Sequence, residues 1–273
     1  MATTPEGPTS VLDEWLTHAV QDPNPFLQFT AIRLSEDPPC SAEIEDYLAR
    51  LITNELFDQT LLADLAHALG WGRTAADIIA RRIPKLTQIR RGDFGEALAN
   101  DILGHFEAFS IPIRKLRYKV TADQTLTGTD ALALKTLPDG SISEVCFVES
   151  KFRGSRDIYA GVEACKQLLR DTTAAIPDIL TFVAARLHDT GHLSYDSFLE
   201  YLASRADTRE METLRIALCC ELAGWDEATL LNIDEANLQP LRLSVSICLI
   251  SGLTAIVDRV FAQLGLTASD EDD

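Results

Sequence analysis

The chain has 273 residues, 46% of them apolar and 24% charged, with a net charge of −18. Length admits one large domain or two small ones, and the composition is that of an ordinary globular protein. No apolar run reaches the 18 residues of a spanning helix, and MATTPEGPTS lacks the basic-then-apolar order of a secretory signal. The expected setting is therefore the cytoplasm, with no membrane contact.

The charge is unevenly placed. Residues 81–170 hold 15 Lys and Arg against 11 Asp and Glu, a balance of +4, which leaves −22 for the remainder. The middle third is either a local surface for a polyanion or a patch for an acidic partner, while the flanks repel phosphate. Six scattered cysteines show no zinc spacing and read as buried free thiols.

In chain order, residues 1–10 read as a frayed tail. From Val11 to Ile83 apolar residues recur every three or four positions in VLDEWLTHAV, AEIEDYLARLITNELF and LLADLAHALG, punctuated by Pro23, Pro25, Pro38 and Pro39. Residues 1–85 are thus expected to be a helical N-terminal region. GDFGEALANDILGHFEAF reads as an amphipathic helix with Leu98, Ile102, Leu103 and Phe106 on its apolar side. IPIRKLRYKV alternates and reads as a strand, GTDALALKTL as a second and SEVCFVESKF as a third. Pro138-Asp139-Gly140-Ser141 marks the hairpin between the last two. A helix over roughly Asp157–Ala175 follows, then PDILTFVAARL as a buried fourth strand. Residues 86–192 accordingly form an α/β core in the order helix, three-strand meander, helix, strand. Beyond it, residues 193–266 are mainly helical (SYDSFLEYLASRA, EMETLRIALCCELAG, TAIVDRVFAQLG), with RLSVSICLI near 242–250 as an extra strand. Residues 267–273 read as an acidic tail.

The chemistry sits in CFVESKFR. Strand alternation puts Glu149 and Lys151 on one face and Val148, Ser150 and Phe152 on the other. With a two-residue turn at Asp139-Gly140, Asp130 would face Glu149 across the hairpin, and two adjacent carboxylates repel unless a cation joins them. A three-residue Pro-Asp-Gly loop would shift this register by one and rotate Glu149 away unless a second bulge restored it. Glu96, one turn into the preceding helix and set among Gly92, Gly95, Ala97 and Ala99, is a third carboxylate that small neighbours would let approach the sheet. Hard oxygen donors without suitable His or Cys point to Mg2+, with Mn2+ as an alternative, over zinc. Such an ion polarises a phosphoryl oxygen and acidifies water, and Lys151 could position that water or neutralise phosphate charge. Each residue also has a plainer reading: a solvated Glu–Lys pair, a turn aspartate after Gly128, a first-turn helix acid. Arg114, Lys115, Arg117 and Lys119 fit either a charge-protected edge strand or phosphate contact. Arg153 and Arg156, just past the acidic strand end, are further candidates for phosphate contact.

Glu96 on a helix, Gly128-Thr129-Asp130, a hairpin and then Glu149-Ser150-Lys151 resemble the PD-(D/E)xK nuclease superfamily over roughly residues 90–190. RRGDFGEALA, IPIRKLRYK, LTGTDALAL and FVESKFR together are similar to the HamA family of Hachiman anti-phage defence and to the related Abp-type phage-resistance proteins. The resemblance implies a restriction-endonuclease-like core, a metal-dependent deoxyribonuclease, DNA as substrate and a superfamily 2 helicase (HamB-like) as partner. It maps the nuclease residues onto Glu96, Asp130, Glu149 and Lys151, with Gln167 or Lys166 as the further polar residue on the helix after the third strand. Two other readings stay open: a non-catalytic adaptor on a degenerate nuclease fold, and a stand-alone repair or restriction endonuclease.

Overall fold

A computed structural model describes residues 10–20, 29–69, 79–174, 176–233 and 242–266. The apolar runs EVCFV, TLRIALCC and LSVSICLI lie side by side as parallel strands, as runs buried on both faces do. They are β4 (Ile142–Arg153), β5 (Glu212–Glu221) and β6 (Arg242–Ile250). β2 (Thr30–Glu36) pairs with β6 in parallel, β1 (Leu16–Val20) with β2 antiparallel, and β3 (Ala131–Thr136) closes the far edge against β4. The resulting sheet has six strands in the order β1-β2-β6-β5-β4-β3.

Helices cover both faces, giving a mixed α/β fold. One face carries α1 (Val11–Trp15), α2 (Ala42–Leu56), α4 (Thr87–Glu107) and α9 (Leu253–Leu266), whose Leu48, Ile52, Leu98, Val257 and Phe261 pack with Cys219 and Cys248. α3 (Gln59–Leu69) follows α2 in the chain. The other face carries α5 (Ala160–Thr172), α6 (Asp178–Asp189) and α7 (Tyr195–Ser204), packed on Phe147, Leu214, Ile216 and Val245. All six cysteines are free, and five are buried.

The structure confirms β3, β4, β6, α2, α3, α4, α5, α7 and α9 close to their expected places, and corrects four segments. IPIRKLRYKV is no strand: after a bridge between Ser110 and Leu134 the chain makes a 3-10 turn over Lys115–Tyr118. Its basic side chains turn instead to separate partners, Arg114 to Glu55, Lys119 to Asp93 and Arg117 to Asn54 and Asp58, so the edge-strand reading does not describe them. PDILTFVAARL forms helix α6, with Ile179, Leu180, Val183 and Leu187 buried at helical spacing. A short apolar run fits either period, and Pro177 at the N-cap position opened a helix here. ETLRIALCCE is β5 and not a helix, because it is covered from both sides at the middle of the sheet. The N-terminal region, expected to be wholly helical, supplies β1 and β2, so one sheet draws strands from both sides of residues 85 and 192. The N-terminal tail (1–9) and the acidic tail (267–273) lie outside the described residues.

α5 reaches the sheet beside a short helix, α8 (Ala228–Leu231), and Gly161 permits that approach. A Cβ there would stand 2.8 Å from the Thr229 carbonyl oxygen and 3.0 Å from the Ile233 side chain. Gly161→Ala is expected to lower stability by about 1–3 kcal/mol despite the better helix propensity of alanine, read as a drop in thermal midpoint.

Candidate active site

The site is set by how the β3–β4 hairpin turns. The Leu137 N–H donates to Ser141 O at 2.8 Å, the Gly140 N–H donates to Leu137 O at 2.9 Å, and Gly140 has φ +86°. This is the three-residue Pro-Asp-Gly loop, not the two-residue turn. Next to it Thr136 pairs with Ile142, and the register then shifts between Lys135 and Thr136. From Lys135–Glu144 to Ala131–Val148 the pairing is the one the shorter turn would have given. The bulge restores the register, and Glu149 keeps its expected face.

The ladder ends at Ala131 and Val148, one step short of the two acids. Asp130 leaves it: its N–H still donates to Val148 O (3.1 Å), while its Oδ2 accepts from the Ser150 N–H (2.8 Å) and hydroxyl (2.9 Å). Backbone N–H groups of a strand point along the sheet. A carboxylate bound to one lies in the sheet plane, open to both faces.

From the α5 face come Glu149 and Lys151, with Lys151 Nζ 2.6 Å from Glu149 Oε1. Glu149 is 4% exposed and its Oε2 has no hydrogen-bond partner. Burial, reinforced by Asp130 and partly offset by Lys151, pushes its pKa up to about 7. From the α4 face comes Glu96, whose helix sits close because Gly95 lies against Phe152 of β4. Glu96 is 8% exposed, and its Oε1 also lacks a partner. Burial and then Asp130 raise its pKa well above the usual carboxylate range, against the pull of Lys115. Asp130 thus stands between two buried acids that reach it from opposite sides.

Two neighbours were not foreseen. Asp93, one helical turn before Glu96, faces the same cleft. Lys119 Nζ is 2.5 Å from its Oδ1, its Oδ2 is unpartnered, and burial raises its pKa to about 6. The Asp-x-x-Glu spacing on one helix was the available signal. Lys115, buried in the 3-10 turn, donates from Nζ to the carbonyls of Thr127 (2.8 Å), Gly128 (3.3 Å) and Thr129 (2.7 Å). It clamps the segment that delivers Asp130, which turns through Gly128 at φ +78°. Nothing in the local pattern could have assigned that contact.

Glu96, Asp130, Glu149, Lys151, Arg153 and Gln167 line one cleft of about 730 Å3. Arg153 is engaged by Asp157 (2.5 Å) and Glu163 (2.7 Å), and Gln167 donates to Asp171 (2.7 Å). Arg156 does not line this cleft and pairs with Asp226 at 2.5 Å, and Lys166 is exposed outside it. Among the described residues no three His, Cys, Asp or Glu side chains converge into a ready-made cation cage. The acids still suit a hard ion held by few ligands: two buried carboxylate oxygens without partners flank Asp130. Mg2+ in particular binds through one or two carboxylates and keeps several waters.

The fold and cleft together define an α/β protein with a pocket that gathers four carboxylates at the end of a sheet-edge hairpin. The chain belongs to the HamA family, whose model matches residues 9–239. That membership associates it with Hachiman anti-phage defence. No curated protein matches it. No helix among the described residues is long and apolar enough to cross a membrane.

Proposed function

We propose that the protein is a Mg2+-dependent deoxyribonuclease with a restriction-endonuclease-like core, acting with a helicase in phage defence. The observation that carries this reading is the pair of buried, unpartnered carboxylate oxygens on Glu96 and Glu149, set on either side of Asp130 with Lys151 alongside. A stability-only sheet end has no reason to keep acids there, since each buried charge without a partner is costly.

Asp130 and Glu149 would hold the ion, Mg2+ or Mn2+, and Glu96 would complete or support the set. When bound, it polarises a phosphoryl oxygen and acidifies a water. Ser150 fixes the orientation of Asp130 through two hydrogen bonds. The Lys151 ammonium, tethered on Glu149 Oε1, stands where it can orient the attacking water or neutralise charge growing on the phosphate. A helicase partner fits the charge distribution: outside residues 81–170 the chain carries −22 and attracts little DNA by itself.

Plasmid nicking tests the reading. Wild type with Mg2+ should cut, and Asp130→Asn and Lys151→Ala should not. Mg2+ or Mn2+ should raise the thermal midpoint of wild type and leave that of Asp130→Asn unmoved. The absence of a three-acid cage among the described residues favours a second reading, a non-catalytic adaptor. A folded wild type that neither cuts nor gains stability from either cation would establish it.

A further inference from the structure

We propose that Arg91 is a phosphate-binding residue of the cleft, taking a backbone phosphate of the nucleic-acid strand held there. The inference rests on the nuclease reading for the identity of the ligand, and on the following observations for the residue.

Among the described residues five cations line the cleft, and four are already engaged. Lys119 is held by Asp93, Lys151 by Glu149, Arg153 by Asp157 and Glu163, and Arg170 by Asp171 and Gln167. Arg91 has no carboxylate or hydrogen-bond partner among the described residues, and its Nε is buried with no acceptor. A guanidinium N–H left dry in this way costs free energy unless an acceptor arrives.

Its neighbour makes the contrast. Arg90 donates from Nε to Pro84 O at 2.6 Å and lies over the Phe261 ring, so it serves the packing of α4. Arg91 lies instead over Phe152, 5.9 Å from the ring centroid, next in sequence to Lys151. Stacking on a ring held in β4 restricts the guanidinium before any ligand comes, which reduces the entropy lost on binding. The first turn of α4 lies beside it: Thr87 and Gln88 also line the cleft, and the N–H groups of Lys85 and Leu86 just before them are held by Asp123 Oδ1 (2.7 and 2.9 Å). A planar, permanently charged donor beside a cluster of acids suits a phosphodiester bridging the two. The acids take the ion, and Arg91 takes the anion.

The test uses the full chain carrying Glu149→Gln, so that binding is read without cleavage, with a short fluorescein-labelled DNA duplex as probe and Mg2+ present. Anisotropy gives Kd across a range of NaCl concentrations. Adding Arg91→Gln should weaken binding about tenfold and lower the slope of log Kd against log salt by about one, the signature of one lost phosphate contact. Arg91→Lys, which keeps the charge, should retain the slope, and it decides the matter if the glutamine variant folds poorly. Arg156→Gln, outside the cleft, should change neither quantity. An unchanged slope in Arg91→Gln, with DNA still bound, overturns the assignment of Arg91 and leaves the nuclease reading standing. Failure of the Glu149→Gln parent to bind DNA at all overturns the assignment of Arg91, whereas the nuclease reading falls only if the wild type fails to nick plasmid with Mg2+.

Discussion

Glu149→Gln is expected to abolish Mg2+-dependent cleavage, by on the order of 10³-fold or more, and yet to yield a more stable metal-free protein at pH 8. The two effects have one origin. Burial and Asp130 raise the Glu149 pKa from its ordinary 4.5 to about 7, so the folded state prefers the neutral acid. Below pH 4.5 both folded and unfolded chains hold the proton, and the stability contribution is fully present. As pH rises, the unfolded chain ionises first, and the contribution is lost by the time pH passes about 7. The shift corresponds to roughly 3 kcal/mol, with the opposing attraction of Lys151 already included in it. Burial raises Asp93, Glu96 and Glu55 in the same direction, so the wild-type midpoint should fall steadily from pH 5 to pH 8. Glutamine removes one share of that slope, and Mg2+ at pH 8 should restore the wild type while leaving the variant unmoved. Thermal melts at two pH values, with and without Mg2+, check it. A variant that cuts like the wild type, or a wild-type midpoint indifferent to pH, contradicts the placement of Glu149.

What could be read in the sequence follows the range of the interactions concerned. β4 was legible because alternation and β-branched residues are local, and α4 because its apolar face repeats within the helix. The register near Glu149 was recovered although the assumed turn was wrong, because the extra loop residue is cancelled by the bulge at Lys135 and Thr136. The true loop was the weighed alternative, and only the coordinates choose between them. α6 and β5 were exchanged for one reason: ILTFVAARL and TLRIALCC are both apolar runs whose period is ambiguous, and burial by neighbouring elements decides each. Of the site, Glu96, Asp130 and Glu149 were legible since their order along the chain carries them, and Asp93 was not. Of the cations, Lys151 was legible for the same reason. Lys115, Arg91 and Lys119 act across long sequence separations, and a basic residue in an alternating run looks the same whether it faces water, a carbonyl cradle or an aromatic ring. Arg153 and Arg156 drew attention by proximity in sequence, but the first is held by two acids and the second lies outside the cleft.

Lys115→Met is expected to be the most damaging change away from the acids themselves. The ammonium is buried, and its three donors go to three consecutive carbonyls of the segment that leads into Asp130. Methionine reproduces the apolar stem and none of the donors, so the packing survives while the carbonyls lose their shared partner. Each such loss costs about 1 kcal/mol or more, for a total of about 3 kcal/mol. The catalytic consequence comes from position. With the 127–129 segment released, Asp130 is no longer presented to Ser150, and a displacement of about 1 Å in a reacting group can lower a rate about 10²-fold. Amide hydrogen exchange should localise the effect, with faster exchange at residues 127–130 and at Ser150 and unchanged protection across β5 and β6. Lys115→Arg should recover stability better than rate, because a planar guanidinium keeps the charge but cannot direct three donors around one point. Wild-type cleavage and unaltered exchange in Lys115→Met would show that Asp130 holds its place without the clamp, through Ser150 alone.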